Sequence, residues 1–399
     1  MNTSINQQHV GNRASTFSAL IIAILYSFFG AHLNYGILFP QQTAPYDPDH
    51  GAVTCPDAWN DGHAIVFLWP GDAPAVAVHP NWVITVSHWP PNFTHVRVPG
   101  VGYFPIVDRV MAPNGADARL YRVNSNLSVY SQYRATQVAV SEQIVVYGRG
   151  AGAGDPVTDA SGNILGWKNG TSDYILPRGN GVVSESYSSA LTWPFTSSVT
   201  DCAMGSYFDS GGGVFVGSYL VGLNRSVATR QASPDANTPC VTANVFDMTG
   251  LYTCGSYQLV SQTTATPIFS ISDWIDNTLA APVVSIQGYY SASEPSSTGG
   301  YMLSRTGSTA QALTVYVYGV TAYSGDAQPG SDYEGYESAS AAIIPAGHSS
   351  YTFPIEPIDD YYPEGQETVR LRLYIQDSTS NRTYTIGTPE GTIQLSDDE

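Results

Sequence analysis

The chain has 399 residues, of which 43% are hydrophobic and only 12% are charged, and its formal net charge at pH 7 is −18. This length allows two domains with sizeable cores. The negative charge disfavours nucleic acid and anionic membrane surfaces as partners, whereas a cation is a natural ligand. The 38 glycines, the 27 tyrosines and the runs of Val, Thr and Ser predict β-structure rather than a helical bundle.

An apolar segment near the N-terminus reads FSALIIAILYSFFGAHL over residues 17–33. It is too short for a comfortable membrane span and lies where a secretory signal belongs. We therefore predict a signal peptide over residues 1–31 and a protein that is secreted or periplasmic; a retained N-terminal anchor is the alternative. No later segment is apolar over a length that could span a bilayer. The Pro- and Asp-rich residues 32–60 are predicted to form a linker or pro-region.

Residues 61–280 are predicted to form one domain of short strands. Examples are AIVFL at 64–68, AVAV at 75–78, WVITV at 82–86 and QIVVY at 143–147. Strands at this spacing, separated by turns, are typical of a barrel or a sandwich. The segment SDWIDNTL at 272–279 then has apolar residues at helical spacing, with Ser272 as a plausible N-cap. A domain boundary is predicted at residues 280–282.

A histidine and a serine stand in settings that suit nucleophilic catalysis. His88 ends the strand-like run ITVSH, and Ser210 lies in the turn-like segment DSGGG. A serine hydroxyl attacks well only when an imidazole removes its proton and a carboxylate orients that imidazole. Asp117, which begins the alternating run DARLYRV, is the predicted carboxylate. Asp108 is the alternative, although the residues after it alternate less well.

These segments, in this order, resemble the chymotrypsin-like (trypsin-like) serine proteases, whose histidine ends VLTAAH and whose serine lies in GDSGG. Residues 75–88, AVAVHPNWVITVSH, are similar to the strand, the P-x-W-V motif and the histidine of that family. The resemblance covers residues 61–280 and implies a double β-barrel that acts as a serine endopeptidase and needs no cofactor. It implies that His88 takes the proton of Ser210 and that Asp117 holds the imidazole.

The resemblance also implies roles for residues near the serine, and here the chain departs from the family. The backbone N–H groups of Phe208 and Ser210 would form the oxyanion hole, although the family has glycine where Phe208 stands. Met204, six residues before the serine, would set a preference for an apolar or small P1 residue. Residues 220–226 lack the usual S-W-G of the substrate-pairing strand. No activation sequence supplies an amine partner for Asp209, so a catalytically inactive protease-like domain is the alternative.

Four cysteines fit an oxidising compartment, and they allow three pairings. The family often has a bridge around its substrate pocket, and this favours Cys202 with Cys240 and therefore Cys55 with Cys254. Trp89 stands where the family usually has the cysteine that follows the histidine, so that bridge is absent.

Residues 282–399 have a different composition, with 15 acidic and four basic residues. Alternating runs, LTVYVY at 313–318 and VRLRLYI at 369–375, predict strands of a β-sandwich. The segment DDYYPEGQE at 359–367 concentrates four carboxylates, and calcium takes six to eight oxygen ligands. The alternative is a solvated acidic loop that keeps the protein soluble.

The motifs SDY at 331–333, PAG at 345–347, DDYYPEGQE and the terminal SDDE strongly resemble Calx-beta domains, in the same order. The resemblance spans residues 282–399 and implies an immunoglobulin-like sandwich that binds Ca²⁺ and contacts a cell-surface or matrix partner. The implied ligands are Glu294, Asp332, Asp359, Asp360, Glu364, Glu367, Asp397 and Asp398, with the Tyr362 carbonyl as a further candidate. If the protease site is inactive, the alternative function is calcium-dependent adhesion or binding.

Overall fold

The structure is a computed structural model that describes residues 52–53, 55–150, 153–158, 161–169, 176–196, 198, 202–205, 208–228, 230–231, 244–247, 261–374 and 383–398. The predicted signal peptide, Cys240 and Cys254 lie outside these residues. Within the described ranges, no helix combines the length and the apolar character that a membrane crossing requires.

The first part of the fold is a closed antiparallel barrel of six strands. Its elements, after β1 (Ala52–Val53) and α1 (Cys55–Asn60), are β2 (Ile65–Trp69), β3 (Ala73–His79), β4 (Trp82–Thr85), β5 (His95–Val98), β6 (Gly102–Met111) and β7 (Arg119–Val123). The strand order is β2-β3-β4-β7-β6-β5. In β2, Val66 and Leu68 pack into one core, whereas Ile65 and Phe67 pack into a second core shared with the next sheet. The strand is a continuous apolar run because both of its faces are buried.

The second part is built from a nine-stranded sheet and a smaller four-stranded sheet. Its strands are β8 (Gln132–Tyr133), β9 (Gln143–Tyr147), β10 (Ala153–Thr158), β11 (Ile164–Asn169), β12 (Leu176–Val182), β13 (Glu185–Ser186), β14 (Leu191–Pro194), β15 (Gly213–Val216), β16 (Tyr219–Ala228), β17 (Arg230–Gln231), β18 (Asn244–Asp247) and β19 (Gln262–Pro267). The large sheet has the order β1-β12-β9-β15-β16-β19-β14-β13, with β8 beside β16, and the small sheet is β10-β11-β18-β17. Tyr147 and Phe215 belong to the core shared with the first barrel.

A short 3₁₀ turn, Ile268–Ser270, leads into helix α2, Ser272–Ala280. The predicted helix is confirmed, and its apolar residues Trp274 and Ile275 are buried. The predicted cap is wrong, because Ile271 occupies the N-cap position and Ser272 begins the helix. The Ser272 hydroxyl instead donates to the carbonyl of Phe269 at 3.1 Å.

The C-terminal part is a sandwich of two sheets. Its strands are β20 (Val283–Tyr290), β21 (Ala292–Ser293), β22 (Gly299–Arg305), β23 (Leu313–Gly319), β24 (Ser340–Ile344), β25 (Ser350–Ile355), β26 (Glu367–Leu373), β27 (Thr385–Ile386) and β28 (Glu390–Ser396). The sheets have the orders β25-β22-β20-β27 and β21-β28-β26-β23-β24. Alternate residues of β23 and β26, such as Val315 and Leu371, face the core. The predicted all-β class, with barrels followed by a sandwich, is confirmed.

Ile386 of the sandwich contacts the barrel through both of its backbone polar atoms. Its N–H donates to Asp108 Oδ2 at 2.7 Å, and its carbonyl accepts from Arg122 Nη1 at 3.0 Å. Asp108 is 1% exposed, so this contact is buried. Both polar backbone atoms of one sandwich residue are therefore bound by side chains of β6 and β7.

Two predictions made from the sequence need correction. Within the predicted linker at 32–60, β1 pairs with β12, Ala58 of α1 lies in the core, and Trp59 Nε1 donates to the Ile65 carbonyl at 3.2 Å. Residues 52–53 and 55–60 therefore belong to the folded domain, because β1 pairs with the large sheet and Ala58 is buried in the core. The predicted Cys202–Cys240 bridge is not present, since Cys202 is a buried free thiol. Burial raises the pKa of this thiol.

Candidate active site and candidate metal centre

The first candidate site forms where β4 ends and β7 begins. These strands are paired, with Thr85 opposite Arg119, so the residues just beyond their ends come together. Asp117 Oδ2 lies 2.7 Å from His88 Nδ1. Asp117 Oδ1 accepts from the backbone N–H and the hydroxyl of Ser87, both at 2.8 Å, and from the backbone N–H of His88 at 2.9 Å. Both oxygens of the Asp117 carboxylate therefore accept hydrogen bonds.

These bonds determine the charge of the site. Burial opposes ionisation of Asp117, but the hydrogen bonds from His88 and Ser87 outweigh it and lower the pKa of Asp117 to about 2. The group is therefore a carboxylate at neutral pH. A carboxylate beside Nδ1 favours the tautomer of His88 that carries its proton there, which leaves Nε2 free to accept a proton. Asp108, the alternative carboxylate, is bonded to Ile386 at the contact with the sandwich.

Ser210 lies in the turn that precedes β15. Its Oγ donates to the carbonyl of Arg225 at 3.3 Å, and the described residues show no hydrogen bond between this oxygen and the His88 ring. Catalytic hydrogen bonds are often long or misaligned when an enzyme holds no substrate. An attack by Ser210 would require its hydroxyl to rotate away from Arg225 toward His88.

Trp89 connects the histidine and serine segments, a role that the sequence analysis missed. Its Nε1 donates to the carbonyl of Ser210 at 2.7 Å, and its ring centroid lies 5.9 Å from that of His88. Arg119 Nη1 donates to the Trp89 carbonyl at 3.2 Å. The residue that replaces the usual cysteine thus joins the two segments by a hydrogen bond.

The turn around the serine is held in an unusual conformation. Phe208 has φ of 74°, a region that non-glycine residues occupy at a steric cost. The buried carboxylate of Asp209 accepts from the backbone N–H of Gly150. A Cβ at Gly148 would collide with that carboxylate, and one at Gly211, where φ is 89°, would collide with Thr85. Asp209 therefore has a partner within the chain instead of an N-terminal amine.

A cavity of about 210 Å³ adjoins the serine. Its lining consists of Gly205, Phe208, Asp209, Ser210, Asn224, Arg225, Ser226, Val227 and Thr263. The prediction that Met204 lines this pocket is wrong, because Met204 is fully buried and the lining residue is its neighbour Gly205. Gly205 N–H donates to Thr263 Oγ1 at 2.9 Å, which fixes this wall. The position six residues before Ser210, which the sequence analysis used, is therefore one residue away from the residue that lines the pocket.

The second candidate site is a concentration of carboxylates at one end of the sandwich. Two groups of three have ligand oxygens within 4.8 Å of one another: Glu294, Asp359 and Asp398 in one group, and Asp332, Glu364 and Glu367 in the other. Asp360 and Asp397, which were also predicted as ligands, stand outside both groups. Asp360 Oδ1 accepts from Tyr362 N at 2.7 Å, and Asp397 Oδ2 accepts from Glu364 N at 2.7 Å.

Burial and mutual repulsion raise the pKa values of three of these carboxylates, Glu294, Glu364 and Glu367. Burial and the neighbouring Asp332 raise the pKa of Glu367 to about 7, with further contributions from Glu364 and Glu294. The pKa of Glu294 is raised by burial and by four surrounding carboxylates, Asp397 first. A divalent cation would remove this repulsion, and a ligand set made only of oxygens suits Ca²⁺.

Comparisons with known proteins find no relative by sequence and only weak likenesses among solved structures. No protein-family model and no curated protein matches the chain. Among solved structures, the apo form of the Calx CBD1 domain is 21% identical over 29% of this chain and 99% of its own, with a TM-score of 0.24. The active form of the Rv3671c protease from M. tuberculosis is 13% identical over 55% of this chain and 92% of its own, with a TM-score of 0.29. The geometry of the two sites, and not these likenesses, supports the function proposed next.

Proposed function

We propose that the chain is an exported serine endopeptidase that hydrolyses peptide bonds with His88, Asp117 and Ser210. The observation that carries this proposal is the Asp117 carboxylate, which is saturated with donors and lies 2.7 Å from His88 Nδ1. The His88 side chain is 44% exposed, so its ring is accessible to a substrate while Asp117 holds Nδ1. An orienting carboxylate and an accessible imidazole are what a hydroxyl nucleophile needs.

In the proposed reaction, His88 Nε2 takes the proton of Ser210 as its Oγ attacks the substrate carbonyl carbon. The backbone N–H groups of Ser210 and Phe208 are the proposed donors to the resulting oxyanion. The imidazolium, stabilised by Asp117, then protonates the leaving amine, and water repeats the sequence on the acyl-enzyme. We propose that the cavity of about 210 Å³ beside Ser210 receives a small side chain of the substrate.

We further propose that the two carboxylate groups of the sandwich hold Ca²⁺. Glu294, Asp359 and Asp398 would supply one set of oxygens, and Asp332, Glu364 and Glu367 the other. The ion would offset the repulsion among these groups and stabilise this end of the sandwich. It takes no part in peptide hydrolysis, and the sandwich is the proposed contact for a cell-surface or matrix partner.

Labelling with a fluorophosphonate tests the proposed activity. The wild-type protein should be labelled, and Ser210→Ala should lose all labelling. His88→Ala should lose most of it, and the double variant should be no less active than either single variant, because the residues act as one unit. Ser226→Ala is the matched control, since Ser226 lines the same cavity but has no imidazole beside it. Equal labelling of wild type and Ser210→Ala would overturn the proposal.

A second function is favoured by the bond from Ser210 Oγ to the Arg225 carbonyl and by the strained Phe208. In this alternative the barrels are catalytically inactive, and the protein acts in calcium-dependent adhesion or binding. A properly folded wild-type protein that neither reacts with the fluorophosphonate nor cleaves peptides would favour it.

A further inference from the structure

Arg225 occupies a distinctive place in β16. In the pairing with β19, Asn224 lies opposite Ala265 and Ser226 lies opposite Thr264, so Arg225 is the additional residue of a β-bulge. Bulges next to active sites redirect a side chain away from the regular alternation of the strand. The carbonyl of this same residue accepts from Ser210 Oγ, so the bulge lies directly beside the nucleophile.

Arg225 borders two cavities of the candidate active site. Arg225 lines the cavity beside Ser210 and also a neighbouring cavity of about 400 Å³ that Asp117 lines. Its Nη1 donates to the carbonyl of Ser189, which lies on the wall of that second cavity, at 2.9 Å. Among the described residues that line the two cavities, Arg225 is the one cation.

The guanidinium retains donors for a ligand. Within the described part of the chain, its only partner is the Ser189 carbonyl, and no carboxylate forms an ion pair with it. The two acids of these cavities are already engaged, since Asp117 accepts from Ser87 and His88, and Asp209 accepts from Gly150. A guanidinium in a cleft binds a carboxylate through paired hydrogen bonds.

We propose that Arg225 is a specificity-determining residue that selects peptide substrates with a glutamate or aspartate side chain close to the scissile bond. This inference rests on the proposed peptidase function. The net charge of −18 repels acidic peptides in general. A preference for an acidic side chain therefore has to come from a local cation, and Arg225 is placed to supply it within reach of Ser210.

Internally quenched peptides that differ only by Glu or Gln at one position near the scissile bond test this in the full-length protein. At one position the wild-type kcat/KM should be about ten- to hundredfold higher for Glu. Arg225→Gln should bring this ratio to one, Arg225→Lys should retain part of it, and Arg225→Glu should favour Lys at that position. At about 1 M salt, where the Debye length is about 3 Å, the wild-type ratio should fall.

A purely structural role through Ser189 predicts a different result, because Arg225→Gln would then lower kcat/KM for the Glu and Gln peptides equally. That result, or a wild-type ratio near one at every position, would overturn the inference. If no peptide is cleaved at all, the peptidase proposal fails separately. Anisotropy of the same labelled peptides with Ser210→Ala then tests Arg225 alone, since the Glu peptide should bind about tenfold or more tightly than the Gln peptide.

Discussion

Two carboxylates of this molecule, Asp117 and Glu367, are shifted in opposite directions. Asp117 is met by four donors, and these lower its pKa to about 2 in spite of burial. Glu367 is also partly buried but faces Asp332 and Glu364, and its pKa rises to about 7. The barrel thus completes its charged site with its own atoms. In the sandwich, the proposed calcium ion would supply the positive charge that the carboxylates of this site lack.

The largest effect is expected when the negative charge of Asp117 is removed from the site in the barrel. Asp117→Asn keeps the shape of the side chain but should lower turnover about 10⁴-fold, because the amide favours the wrong histidine tautomer. Measurement of kcat with a quenched peptide checks this. Asp108→Asn is the matched control: it should keep near wild-type turnover but melt at a lower temperature, because it weakens the acceptor for Ile386. Loss of turnover in the control instead of in Asp117→Asn would reverse the assignment of the orienting carboxylate.

Calcium should stabilise the protein through the two carboxylate groups of the sandwich. At a hundredfold excess over Kd, calcium should stabilise the folded full-length protein by about 2.7 kcal/mol, which differential scanning fluorimetry would record as a higher Tm. Asp359→Asn combined with Glu367→Gln should remove most of this rise and, by relieving repulsion, raise the Tm in chelator.

Glu334→Gln is the control for that experiment, since it removes an acid of the same domain that belongs to neither group of carboxylates. It should leave the calcium response intact. Wild-type melting curves that coincide in calcium and in chelator would support the solvated acidic loop instead.

The two sites should also differ in their dependence on pH. The folded pKa of Glu367, about 7, lies above its usual 4.5, so the folded state binds more protons between these values. Stability in chelator should therefore fall as pH rises through this window, and calcium or Glu367→Gln should flatten the slope. Asp117 has a lowered pKa, so its contribution is present above pH 3.8 and is lost only as pH falls toward about 2. Melting temperatures that are independent of pH in chelator would contradict the assignment for Glu367.

The smallest expected effect is on the free energy of unfolding and concerns Phe208, whose backbone has a positive φ. At ordinary positions glycine is less stable than alanine, but at φ of 74° the order should reverse. Phe208→Gly should therefore be about 1 kcal/mol more stable than Phe208→Ala in urea unfolding. The usual order, with alanine more stable, would show that this turn relaxes in solution.

Local patterns were enough to predict much of the fold. Alternating or continuous apolar runs predicted β2, β4, β9 and β23, and helical spacing predicted α2, because these signals depend on near neighbours. The three residues of the proposed triad each stand in a short motif, and the structure brings His88 and Asp117 together. Carboxylate density likewise predicted the two groups of carboxylates at one end of the sandwich, although Asp360 and Asp397 accept from backbone N–H groups and stand outside both.

What the sequence did not predict depends on partners that are distant in the chain. The Trp89 indole bonds to a carbonyl 121 residues away, and no local pattern signals such a contact. The hydrogen bond from the Gly150 N–H to the Asp209 carboxylate likewise joins residues that are 59 positions apart. The bulge that redirects Arg225 arises from register with β19, and a shift of one residue separates Met204 from Gly205 at the pocket wall.

The contact at Ile386 has a consequence for how such domains can be combined. Asp108 and Arg122 bind the N–H and the carbonyl of that one residue, which belong to two successive peptide units, so the barrel contacts a backbone segment of the sandwich there. Shortening the chain to end before the sandwich would take the Ile386 N–H away from Asp108 and open this carboxylate, 1% exposed in the whole protein, to water. A different sandwich grafted onto these barrels would have to present a backbone segment in the same place. The barrel and this sandwich are therefore joined by specific hydrogen bonds, and an unrelated sandwich would not form them unless its backbone matched.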